Sequence, residues 1–103
     1  KYLEAVYVEQ TKVFEDEVEF AKLESILPAP ESAHAIYAAI EEAKKFKEKD
    51  EAGTILFGLT GTGFFDMMAY DSFQNGTMSD YIPTDADLEK GFANLPKIPG
   101  IQE

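Results

Sequence analysis

The segment Thr54-Ile55-Leu56-Phe57-Gly58-Leu59-Thr60-Gly61-Thr62-Gly63 decides the fold assignment. Its first four residues make a short, almost wholly apolar run of the kind buried on both faces of a sheet, so a strand is expected over 54–57. The three glycines then suit a tight turn into a helix, expected from about Phe65 to Gln74, which Asn75-Gly76 ends. A second strand is expected at residues 2–8, where Tyr2-Leu3-Glu4-Ala5-Val6-Tyr7-Val8 combines apolar and β-favouring side chains. Two amphipathic helices lie between these strands, so the order of elements reads as α/β.

The first of those helices is expected from about residue 11 to 25, starting at Gln10-Thr11, with Glu15, Asp16 and Glu17 near the positive end of its dipole. Val13, Phe14, Val18, Phe20, Ala21 and Leu23 make a broad apolar side, and Lys12, Glu15, Asp16, Glu19 and Lys22 the opposite one. Pro28 and Pro30 stop it. The second helix should run from about Glu31 to about Lys49, burying Ala33, Ile36, Ala39, Ile40, Ala43 and Phe46 and pairing Glu41 with Lys45. Its lysine-rich end complements the dipole. Near the C-terminus, Thr84-Asp85-Ala86-Asp87 can form a capping box that opens a short helix through about Phe92, after which Pro96 and Pro99 keep the chain extended.

With 103 residues the chain has room for one domain. Hydrophobic residues are 45%, which excludes compositional disorder, while 9 basic against 20 acidic residues give a net charge of −11. That field repels phosphate backbones and anionic lipid, and without arginine there is no planar fork to clamp a phosphate, so no nucleic-acid partner is expected. Cysteine is absent and His34 is the only histidine, so no metal site is expected. No apolar run reaches the roughly 20 residues of a membrane span, and no membrane partner is expected. The chain reads as cytoplasmic. It opens at Lys1 directly into the apolar stretch, which suggests further sequence upstream.

Two places could carry chemistry. A strand, a Gly58-to-Gly63 turn and a helix start is the arrangement in which backbone amides receive an anion or cofactor, and Thr60 sits where α/β proteins place ligands. Neither the Walker lysine nor dinucleotide glycine spacing is present, and a turn in which glycines merely relieve steric strain stays open. The other place is Pro28-Ala29-Pro30-Glu31-Ser32-Ala33-His34, with a carboxylate, a hydroxyl and an imidazole around a helix start. Here too a plain structural account stays open: Glu31 complements the dipole, Ser32 caps, and His34 is a satisfied, partly buried residue. Ser32 and His34 lie two apart and face different directions, which disfavours a hydrolytic triad.

Taken together, Leu23-Glu24-Ser25-Ile26-Leu27-Pro28-Ala29-Pro30-Glu31-Ser32-Ala33-His34-Ala35-Ile36 and Ile55-Leu56-Phe57-Gly58-Leu59-Thr60-Gly61-Thr62-Gly63-Phe64-Phe65-Asp66 closely resemble the C-terminal region of tryptophan synthase β chains, best in the type 2 subfamily. The likeness covers most of residues 3–76. It implies a fold-type II enzyme using pyridoxal 5′-phosphate, in which residues 1–76 form the wall beside the cofactor ring and 77–103 a C-terminal tail. Thr60 aligns with the family's serine that meets the pyridine nitrogen and Glu31 with a glutamate close to the ring, and the resemblance implies Thr60, Glu31 and Gly61 as the cofactor-binding residues of this chain. Thr62 and Phe64 stand where the subfamily usually has histidines.

The resemblance further implies that no catalytic residue lies in this chain. The Schiff-base lysine and the phosphate loop belong to the missing N-terminal part of the same enzyme, so the segment alone should be inactive. The complete enzyme, a lyase of tryptophan biosynthesis, would join serine or a serine derivative to indole by β-replacement. It would be a homo-oligomer, with docking of a tryptophan synthase α chain left open. Two alternatives stand beside this reading. One is a segment of another fold-type II enzyme, such as a threonine synthase or serine dehydratase; the other is a non-catalytic acidic helical interaction module.

Overall fold

The computed structural model describes residues 2–96. They form four α-helices and one short 3-10 turn: α1 Gln10–Glu24, α2 Pro30–Glu48, the 3-10 turn Gly63–Phe65, α3 Met67–Gln74 and α4 Asp85–Phe92. The helices fall within two residues of the expected ranges. The strands do not form, and the α/β assignment is corrected to an all-helical one among the described residues. A strand requires a second segment to take its backbone amides and carbonyls. Among the described residues no strand ladder forms over 2–8 or 54–57, and side chains expected to be buried are open: Leu3 is 89% exposed and Leu56 95%.

The core is small. Helices α1 and α2 pack along one another, and α3 packs against α1 at Phe14 and Glu17. The buried apolar residues are Val13 and Phe14 of α1, Ala33 and Ile36 of α2, Pro28 and Ala29 before α2, and Tyr70 of α3. Phe14 is the joint between layers: Tyr70 meets its ring edge-on at 5.5 Å, and Phe73 lies 5.8 Å away. Of the expected apolar side of α1, Val18, Phe20 and Ala21 are only half-buried and Leu23 is 72% exposed, and Ala43 of α2 is exposed as well. The Cα radius of gyration is 16.9 Å, against about 13 Å for a compact chain of this length.

The helix ends depart from expectation in instructive ways. No acidic residue lies in the first turn of α1, and the Glu9 side chain makes no capping hydrogen bond but pairs with Lys12 at 3.2 Å. The cap comes from 69 residues away. Thr11 donates its backbone N–H to Asp80 Oδ1 at 2.9 Å and its hydroxyl to Asp80 Oδ2 at 2.6 Å, while Gln10 donates to the Ser79 carbonyl. At the other end Ser25 adopts the left-handed conformation, φ 58°, and returns its N–H to the Ala21 carbonyl. Helix α2 has Pro30 at its first position, where a missing N–H costs nothing. Its lysines pair one residue closer than expected, Lys44 with Glu41 and Lys45 with Glu42. Thr84 and Asp87 close the expected capping box on α4. Pro99 lies outside the described residues.

Candidate functional site

The loop Gly58–Gly63 lies against the linker Leu27–Ala29 and the first turn of α2. Gly63 anchors it: its N–H donates to the Leu27 carbonyl at 3.0 Å, and a Cβ there would fall 2.4 Å from the Pro28 carbonyl and 2.8 Å from the Tyr70 ring. Only glycine permits this approach. Gly61 takes φ +70°, with its backbone against the Ala29 methyl. The turn therefore has two glycines with definite steric duties.

Thr60 is held by Ser32. Its N–H donates to Ser32 Oγ at 2.9 Å, Ser32 Oγ donates to the Thr60 carbonyl, and the two hydroxyl oxygens are 3.1 Å apart. Ser32 is 3% exposed, whereas Thr60 is open to solvent. The expected capping role of Ser32 is thereby corrected. Ala29 is the cap residue of α2, no side chain bonds there, and the serine hydroxyl serves the loop instead. Glu31, adjacent to Ser32 in the first turn, is exposed, as are Thr60 and Gly61, and the sequence's two stretches meet through the Ser32–Thr60 hydrogen bonds. His34 lies one turn on, exposed rather than partly buried, with Nδ1 3.1 Å from the Pro30 carbonyl.

Behind the loop is a buried polar group that the sequence reading placed in the wrong setting. Glu17, expected near the helix dipole, has no measurable exposure and joins the Phe14 side of α1. The Tyr70 phenol hydrogen-bonds Glu17 Oε1 and also lies 2.6 Å from the Pro28 carbonyl, while Glu17 Oε2 is buried with no hydrogen-bond partner. A phenol has one proton for two acceptors. A protonated Glu17 resolves the conflict by donating to Tyr70, which then donates to Pro28. Consistent with this, burial pushes the Glu17 carboxyl up to about 7; the Tyr70 bond opposes the rise, and the acidic Asp66 and Glu31 add to it. Burial, then Glu17, push the Tyr70 phenol well above its ordinary value. The spacing held a signal for Glu17, since residues 13, 14 and 17 share one helix face.

A shallow groove of about 450 Å³ runs beside the loop between Ala21, Ser25, Ile26, Leu27, Gly61, Thr62 and Phe64. Among the described residues no three acidic or histidine side chains converge as metal ligands would, and no helix is long and apolar enough to cross a membrane.

Against curated proteins the chain is 56% identical over 79 residues to "Tryptophan synthase beta chain 2" of Aquifex aeolicus, covering 77% of this chain and 18% of that relative. This chain belongs to the tryptophan synthase β-chain family. It is 50% identical over 76 residues to "Tryptophan synthase beta chain 2" of Methanosarcina acetivorans, covering 74% of this chain and 17% of the relative. It is 48% identical over 82 residues to "Tryptophan synthase beta chain" of Thermococcus onnurineus, covering 80% and 18%. The chain thus spans under a fifth of the length of these relatives. No family model and no solved structure matches it.

Proposed function

We propose that this chain is a C-terminal segment of a cytoplasmic, pyridoxal-phosphate-dependent lyase that condenses serine, or a serine derivative, with indole to give tryptophan. In this reading residues 1–76 form the wall beside the cofactor ring and 77–103 a tail. The observation that carries it is the junction of two stretches 28 residues apart, in which the buried Ser32 hydroxyl of the Glu31-Ser32 stretch holds the exposed Thr60 of the Thr60-Gly61 stretch. Family membership supports it.

The donor set fits a pyridine ring. Thr60 offers a neutral hydroxyl, able to donate to or accept from a ring nitrogen, and the exposed Glu31 stands at the neighbouring helix start. It does not fit a phosphate. The lysines among the described residues lie on α1, on the last turns of α2 and its cap, and on α4, with none on the Gly58–Gly63 loop. When bound, pyridoxal phosphate withdraws electrons from the substrate's Cα and so eases replacement of the β-substituent. The chain's own contribution is to hold one hydroxyl at the ring nitrogen. A neutral hydroxyl there does not enforce a protonated ring as a carboxylate would. The lysine and the phosphate cradle come from the rest of the enzyme, and exposed residues such as Leu56, Phe65 and Met68 meet that remainder. The enzyme is a homo-oligomer in this reading.

The test uses the full-length protein that carries the segment. With cofactor, serine and indole it should form tryptophan, read by chromatography, whereas the isolated chain should neither retain the cofactor through dialysis nor turn over. Absence of tryptophan with serine and with O-acetylserine as donors would overturn the assignment. So would a cofactor absorption band that the isolated chain keeps.

A further inference from the structure

We propose that Ser32 is a positioning residue that sets the direction of the Thr60 hydroxyl, an inference that rests on the cofactor-wall reading above. Ser32 is the third residue of α2, and its own N–H is fixed to the Ala29 carbonyl at 2.9 Å. The hydroxyl thus projects from a helical turn instead of a loop. It grips Thr60 at three atoms, accepting from the N–H at 2.9 Å, donating to the carbonyl, and lying 3.1 Å from Oγ1. At 3% exposure water does not readily replace it.

The proton count gives this grip its chemical content. Ser32 has one proton and two acceptor sites. Its proton goes to the Thr60 carbonyl and one acceptor site takes the Thr60 N–H, so the second acceptor site faces Thr60 Oγ1. When the threonine gives its own proton to Ser32, it presents only lone pairs outward and suits a protonated ring nitrogen. When it turns that proton outward, it suits an unprotonated nitrogen. Ser32 therefore supplies the fixed acceptor against which these two states of Thr60 balance, and it holds the backbone so that both aim at the same place.

The experiment compares Ser32→Ala, Thr60→Val and the double variant in the full-length protein. The first readout is amide hydrogen exchange of peptides covering residues 56–64 in the cofactor-free protein; the second is the dissociation constant for pyridoxal phosphate by fluorescence titration. Ser32→Ala should speed exchange at the Thr60 amide at least about tenfold and weaken cofactor binding about three- to tenfold. The double variant should bind no more weakly than Thr60→Val alone, because Ser32 acts through that hydroxyl, and Ser32→Thr should restore much of the loss. Unchanged exchange or affinity in Ser32→Ala overturns the proposal while leaving the cofactor-wall reading intact, provided that Thr60→Val is weakened. Additive losses in the double variant also overturn it, since they mark a purely structural role. An unaltered Thr60→Val overturns both. If Ser32→Ala does not fold, Ser32→Cys, of similar size but a poorer donor, is judged by the same criteria.

Discussion

Replacing Glu17 by glutamine tests the most unusual group in the molecule. Its carboxyl titrates at about 7 in the folded chain against an ordinary value of 4.5. That difference corresponds to about 3 kcal/mol between the two protonation states, and residual solvent screening brings a working figure to about 2 kcal/mol. The sign follows from which state keeps the proton. Between pH 4.5 and 7 the folded chain holds a proton that the unfolded chain has released, so stability falls as pH rises through that window and is level above it. Glutamine never ionises and can donate to Tyr70 in place of the protonated acid. Glu17→Gln should therefore match the parent to within about 0.5 kcal/mol near pH 4 and exceed it by about 2 kcal/mol at pH 8. Urea denaturation followed by circular dichroism across that range reads the gap, and carbon NMR of the labelled carboxyl gives the titration directly. A gap independent of pH, or a carboxyl titrating below pH 5, would refute the protonated bridge from Glu17 through Tyr70 to Pro28.

The remaining predictions concern ends, surface and site. Ser25→Gly should raise stability by about 1 kcal/mol, because a left-handed φ of 58° strains every residue but glycine; an unchanged thermal midpoint would contradict this. Asp80→Ala should speed amide exchange at Thr11. In the parent the Thr11 hydroxyl, then its N–H, hold the Asp80 carboxyl below its ordinary 3.8, so the start of α1 should loosen only as pH falls below that range; equal protection in parent and variant would remove the cap. The isolated chain should self-associate, since Leu3, Leu56, Phe65 and Met68 are each more than 85% exposed; a monodisperse monomer in sedimentation that binds no hydrophobic dye would argue otherwise. In the full-length protein Thr60→Ser should keep turnover near the parent value, while Thr60→Val should weaken cofactor retention by about 1 kcal/mol. A Val variant indistinguishable from the parent would reduce Thr60 to a turn residue.

Local signals in this sequence translated well, and signals requiring a partner did not. Helix positions were legible because periodicity, Pro30 and the Thr84-Asp87 box are written within a few residues of the elements they control. A ladder is different. The composition of Thr54–Phe57 favours a strand, but pairing takes a second segment in register, and the run itself carries no information about one. Among the described residues none pairs with it. The candidate site was legible as two stretches, since each carries its own motif, but their joint was not. Ser32 reads as a cap from its neighbours and serves Thr60 only because the fold brings that loop to it. Glu17 was misplaced for a related reason. Acidic residues near a helix start usually face water, and only the packing of Tyr70 and Pro28 onto that side of α1 encloses this one.

The cap on α1 imposes an order on synthesis. The Thr11 donors and the Asp80 acceptor are 69 residues apart, and a ribosome adding roughly 5–20 residues each second makes Asp80 several seconds after Thr11. During that interval the first turn of α1 lacks its Asp80 acceptor and leaves those donors to water, although α2 and then α3 precede Asp80 in the chain. The helix is thus provisional until the segment beyond Gly76 emerges. Placing a boundary at residue 77 separates two stretches of chain in sequence, yet at the bench a stop codon there would leave a nascent helix permanently waiting for its end.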